Sequence, residues 1–155
     1  MNTRPANPND VSLIYSFLKK KAEFDRNIGA FQGILSVTEE KIQKTLFGEI
    51  PFSYVLFVEN FCNEIGFALY HFRYSSFSGQ PSIWIDDLYI DEEQRSQGAG
   101  ILLMNKLAQI ARLNDCSHLA WNADVRNIRG LNFYNKIGAK ITKQDENRYF
   151  LMWIP

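Results

Sequence analysis

The chain has 155 residues, 46% hydrophobic and 14% aromatic, enough apolar material for a buried core and too much for a disordered segment. Lysine plus arginine and aspartate plus glutamate balance at 17 each, so composition argues against nucleic acid or an anionic membrane as a partner. No apolar run is long enough to cross a bilayer, and Met1-Asn2-Thr3-Arg4 carries no signal-peptide core. Two distant cysteines, Cys62 and Cys116, suit a reducing cytoplasm and offer no disulfide framework. With His71 and His118 also far apart in sequence, no metal site is expected, and both histidines read as structural.

The pattern reads as a single α+β domain over residues 1–155. A short strand near 2–6 leads to Asn7 as a helix cap with Pro8 at the first helical position. Val11, Ile14, Phe17 and Leu18 give that helix a buried face, and Lys19-Lys20-Lys21 read as its solvated end. Thr38 caps a second helix with Ile42, Leu46 and Phe47 inward, ended by Gly48-Glu49-Ile50-Pro51. Strands are predicted at about 53–59, 65–74 and 82–90, with turns at Asn63 and Gly79-Gln80-Pro81. A long helix over about 98–113 comes next, then a strand from Ser117 to Val125. A helix over about 128–137 stops at Gly138 in a left-handed cap position, and two strands near 139–144 and 148–154 close the sheet.

The most informative segment is Arg95-Ser96-Gln97-Gly98-Ala99-Gly100, between the β-branched run Ile83–Ile90 and the long helix. Glycines let backbone come close to a ligand, and the unpaired N–H groups of a first helical turn attract an anion, with a pyrophosphate the natural occupant. A phosphate-binding P-loop is set aside, because Gly100 is followed by Ile101-Leu102 instead of Lys-Ser/Thr. A dinucleotide fingerprint is set aside too, because Leu103 stands where a small residue is needed and Asp91–Gln94 separates strand from glycines.

What is left, R-x-x-G-x-G after a hydrophobic strand, resembles the acyl-CoA loop of the GNAT-type N-acetyltransferases. Asn127, followed by Gly130, Phe133-Tyr134 and Gly138, is similar to that superfamily's second hallmark, and Arg4–Asp10 resembles its usual opening. The resemblance covers essentially the whole chain. It implies a twisted, mixed but mostly antiparallel sheet flanked by helices, with acetyl-CoA as co-substrate in a cleft after the fourth main strand. On that resemblance Leu88, Tyr89 and Ile90 present main-chain groups to the pantetheine arm from a bulged strand, and Ser96, Gln97, Gly98, Ala99, Gly100 and Ile101 hold the pyrophosphate. Arg95 adds a charge for phosphate, Asn127 caps its helix or touches the cofactor, and Arg126 and Arg129 neighbour the nucleotide phosphates.

Tyr134 carries over as the general acid: a phenol with a reference pKa of about 10 is protonated at neutral pH and can protonate the departing thiolate. Asp86-Asp87, a carboxylate pair in an apolar strand, is costly to bury without a purpose. Alternation along a strand sends one to the cleft, and by the resemblance Asp86 is the one that contacts the amine. A lysine-like amine is neutral only about one part in 2,500 at pH 7, so a carboxylate that holds the cation and accepts its proton is useful.

The strings Gly66–Tyr70, Asp86–Ile90 and Phe47–Phe52 are most similar to the diamine (spermidine/spermine) and thialysine acetyltransferase branch, with Phe24-Asp25 as an aromatic-acidic pair in the substrate groove. Asn147-Arg148 departs from the polyamine enzymes, since a cation beside the groove repels a polycation. The resemblance also implies a homodimer. Three readings stay open: a small-amine acetyltransferase, a peptide or protein acetyltransferase, and a non-catalytic acyl-CoA sensor.

Overall fold

The computed structural model describes all of residues 1–155, and its elements follow the predicted order. Strand β1 (Asn2–Pro5) runs into Asn7, whose side chain accepts from the Asn9 N–H while the Asp10 carboxylate accepts from the Asn7 N–H. That reciprocal cap closes a single turn, Pro8–Asp10, which feeds helix α1 (Val11–Asn27). Arg4 locks the joint, donating to the Asp10 carboxylate at 2.7 and 2.9 Å, to Glu59 at 2.7 Å and to Glu64. Helix α2 (Glu39–Leu46) starts where the Thr38 hydroxyl accepts from the Lys41 N–H. Strands β2 (Tyr54–Asn60), β3 (Asn63–Ser75) and β4 (Gln80–Ile90) form a meander. Then come α3 (Ala99–Leu113), β5 (Leu119–Asp124), α4 (Ile128–Lys136), β6 (Lys140–Asp145) and β7 (Arg148–Trp153). The strand expected from Ser117 is shorter than predicted, because Ser117 and His118 still belong to the connection.

One seven-stranded sheet has the order β1-β2-β3-β4-β5-β7-β6, with β4 and β5 its only parallel neighbours. One face packs on α1 and α2 through Ile14, Phe17, Ile42, Val55, Phe57 and Phe67. The larger core lies on the other face, where Leu103, Met104 and Leu107 of α3 and Tyr134 of α4 meet Ile83, Leu119, Trp121 and Leu151. This is the mixed α+β architecture the sequence implied.

Two irregularities give β4 its chemistry. The β4–β5 pairing holds only at Ile83–Leu119 and Trp84–Ala120, after which the strands diverge and leave one edge of β4 open. On the other edge, Leu69 faces Asp87 while Tyr70 faces Ile85, so Asp86 is an extra residue, a β-bulge. The bulge overturns the expectation that the two aspartates take opposite faces. Asp86 reaches His71 and Asp87 reaches Lys21, both on the face that α1 covers. An inserted residue resets the alternation on which that expectation relied.

Candidate active site

The divergence of β4 from β5 opens a cleft of about 710 Å³, walled by both strands, the loop before α3, and residues of α1 and α4. Its floor at the loop is main-chain nitrogen. Leu102 is the first residue to donate back, to the Gly98 carbonyl at 3.0 Å, so the N–H groups from Ser96 to Ile101 have no backbone acceptor. Ser96 (φ +64°) and Gly98 (φ +93°) sit in the left-handed region, which turns successive amides to the same side. Gly100 packs against the Phe133 ring, where an added Cβ would lie 3.2 Å from a ring carbon. A run of free donors at a helix start, with Arg129 anchored beside it on the Ser96 hydroxyl at 2.9 Å, suits a diphosphate.

The structure brings nearly all the expected cofactor residues to this cleft. Leu88, Tyr89, Ile90, Arg95, Ser96, Gly98, Ala99, Gly100, Ile101, Asn127, Arg129 and Tyr134 line it. Gln97 does not, because its amide donates to the Glu93 carbonyl at 3.2 Å. Arg95 lines the cleft but its guanidinium is engaged, with Nε donating to the Ile90 carbonyl at 2.9 Å and the group stacked over Phe24 and Tyr89. Arg126 is likewise committed, gripping Asp124 through Nε and Nη2 at 2.8 Å each, and it stands off the cleft wall. Asn127 acts as the cap, accepting from the Gly130 N–H at 3.0 Å.

Tyr134 is 8% exposed, with its ring centre 4.9 Å from that of Trp121. Burial pushes its phenol well above the ordinary tyrosine value, and the carboxylates of Asp87 and Asp25 push it the same way. A proton held this firmly is present across the physiological range. Behind it, the Trp121 indole N–H is wholly buried without a hydrogen-bond partner.

The acidic part of the cleft is built by α1 and β4. Asp25, one helical turn beyond Lys21, accepts from its ammonium at 2.5 Å, and Asp87 lies 3.5 Å from the same nitrogen. Burial raises the Asp87 carboxyl, only partly offset by Lys21, with Asp25 and Asp86 adding to the rise. Asp86 also lines the cleft, but its oxygens are taken by His71 Nδ1 at 2.9 Å and the Trp84 indole N–H at 3.1 Å. Both aspartates line the cleft, and Asp87 is the one whose charge reaches the Tyr134 phenol. Phe24, also expected, stands on the wall beside Asp25.

One basic run departs from its sequence reading. Lys19-Lys20-Lys21 lie inside α1, not at its end, and Lys21 turns into the cleft. Its i,i+4 spacing to Asp25 is the signal the sequence offers for this. His71 is the partner of Asp86, a pairing that depends on the register of β3 against β4.

Residues 32–139 match the model of the Acetyltransferase (GNAT) family. The chain belongs to the GNAT acetyltransferase family. It is accordingly an acetyl-CoA-dependent N-acetyltransferase. The chain is 28% identical over 145 residues to the thialysine N-epsilon-acetyltransferase of Bos taurus, covering 88% of this chain and 82% of that one. It is 25% identical over 150 residues to the human spermidine/spermine N(1)-acetyltransferase-like protein 1, covering 92% of this chain and 21% of the relative. This acetyltransferase also shares its fold with a tetramutant of the BH1408 protein from Bacillus halodurans, at a TM-score of 0.81 and 20% identity over 100% of this chain and 99% of the other. No helix is long and apolar enough to cross a membrane.

Proposed function

We propose that this acetyltransferase transfers the acetyl group of acetyl-CoA to a primary amine of a small molecule, by direct attack, with Tyr134 as general acid. The observation that carries the reading is the convergence of Asp25 and Asp87 beside Tyr134 in the cleft that also holds the open amides of 96–101. The relatives named for thialysine and for spermidine/spermine support a small amine acceptor. Arg148, on the cleft wall and bonded to Asn122 at 2.7 Å, favours an acceptor that also carries a carboxylate, as an amino-acid amine does, over a bare polycation.

The chain's own residues divide the work. The N–H groups of Ser96–Ile101, with Arg129, hold the diphosphate, and the unpaired edge of β4 at Leu88–Ile90 lies along the pantetheine arm. Acetyl-CoA, when bound, supplies the activated acetyl group as a thioester with a thiolate leaving group. Asp87 holds the acceptor's ammonium and takes up its proton, a role helped by a carboxyl pushed up by burial. Tyr134, protonated and facing this charge, gives its proton to the departing sulfur and is reprotonated by the proton the acceptor nitrogen loses as the amide forms.

Free-thiol release measured against polyamines, amino acids and peptides tests the reading. Turnover is expected with small amines, and faster with amino-acid amines than with short polyamines. Exclusive turnover of peptides, or failure of acetyl-CoA to bind in a titration, overturns it. A cytoplasmic homodimer belongs to the same reading, with two free cysteines in accord with a reducing compartment and light scattering as the check on assembly.

A further inference from the structure

We propose that Lys21 is a resident occupant of the amine-binding region, and that it makes the cleft discriminate against acceptors with two positive charges. The inference rests on the small-amine reading and concerns which amines that site admits.

The three consecutive lysines of α1 have three different fates. Lys19 lies over the Tyr15 ring, and Lys20 pairs with Asp91 at 2.8 Å on the surface. Lys21 alone enters the cleft, its side chain only 20% exposed. There its ammonium bridges two carboxylates from separate elements, Asp25 of α1 and Asp87 of β4. These are also the carboxylates whose charge reaches the Tyr134 phenol. A compact cation with three donors between two carboxylates is the arrangement a substrate's primary ammonium would otherwise adopt.

The remaining carboxylate of this region is already engaged. Asp86 already accepts from the Trp84 indole and pairs with His71. An acceptor bringing one ammonium can share Asp87 with Lys21. An acceptor bringing a second ammonium finds Asp25 taken and a like charge within a few ångströms, in surroundings less screening than water. Lys21 therefore contributes selectivity by repulsion as well as by occupying space.

The test compares 1-aminobutane with 1,4-diaminobutane by calorimetric titration of the CoA-saturated protein, in wild type, Lys21→Met and Lys21→Arg. Lys21→Met is expected to shift the affinity ratio toward the diamine by about tenfold or more, the order expected from removing a like charge at this range. Lys21→Arg keeps the charge and is expected to hold the ratio within about twofold of wild type. An unchanged ratio in Lys21→Met, with CoA still bound, overturns the role of Lys21 and leaves the acetyl-transfer reading standing. Failure of wild type to bind CoA, or to bind either amine, overturns the acetyl-transfer reading and this inference together. Lys21→Gln, which keeps a polar donor beside Asp25, replaces Lys21→Met if that variant loses its CoA binding through misfolding, and the same ratio decides.

Discussion

The Tyr134 ring lies against Trp121, centre to centre 4.9 Å, with a phenol held protonated by burial and by Asp87 and Asp25 nearby. Tyr134→Phe keeps this packing and removes only the hydroxyl. Turnover is expected to fall by about 10²- to 10⁴-fold, the usual contribution of a positioned acid, while acetyl-CoA affinity stays near wild type. Steady-state kinetics with a separate binding titration checks both halves. Because the phenol's pKa is raised, wild-type activity is not expected to decline through tyrosine ionisation near pH 10.

Asp87 carries a cost in the folded state. Its carboxyl is raised by burial, so the folded protein holds that proton more tightly than the unfolded chain, and ionisation opposes folding as pH rises through the folded value. Asp87→Asn is expected to melt no lower than wild type at pH 7 while losing about 10- to 100-fold in kcat/KM. A lower melting temperature with intact activity would reverse the assignment.

Asp86 and His71 act as a pair. With His71 Nδ1 at 2.9 Å and the Trp84 indole on its other oxygen, the Asp86 carboxylate has little freedom to swing toward an acceptor. His71→Phe removes one tether and is expected to change KM for the amine more than kcat. Asp86→Asn is expected to change KM for a monocation and a dication by similar factors, and a rise confined to the dication would show that Asp86 receives a second ammonium.

Arg4 joins β1, the start of α1 and strands β2 and β3 through Asp10, Glu59 and Glu64. Arg4→Met leaves three carboxylates without their cation and is expected to destabilise the fold by about 2–3 kcal/mol, read by denaturant or thermal unfolding. The Asp10 carboxyl is held below its ordinary value chiefly by the hydrogen bond from Arg4, and Asp124 is held down in the same way by Arg126. Such groups contribute stability that is present above their unfolded pKa of about 3.9 and lost as pH falls through the lower folded values. Wild type is therefore expected to lose melting temperature in acid below about pH 4, and Arg4→Met to show a shallower loss.

Local chemistry made most of the architecture legible. Asn7 and Pro8 set the start of the first helical segment, Thr38 the second, Asn127 and Gly138 the ends of the fourth. The glycine loop and the Asn127–Gly138 stretch placed the cleft, because a left-handed glycine and a capped helix depend on residues a few positions apart. What escaped depends on partners far along the chain. The bulge that sends Asp86 and Asp87 to one face is a property of β3 against β4. Lys21 enters the cleft because Asp87, much further along the sequence, stands across from it. A sequence pattern records which groups can bond, and the fold decides which of them meet.

The two residue pairs that join β4 to β5 leave the sheet forked along the rest of its length. A molecule lodged in such a fork ties its prongs together as a wedge in a split beam does. Resistance to unfolding thus becomes a reporter of occupancy: at a hundredfold excess over the dissociation constant the wedge is worth about 2.7 kcal/mol. Preparations that differ only in how much coenzyme they retain will then differ in melting temperature.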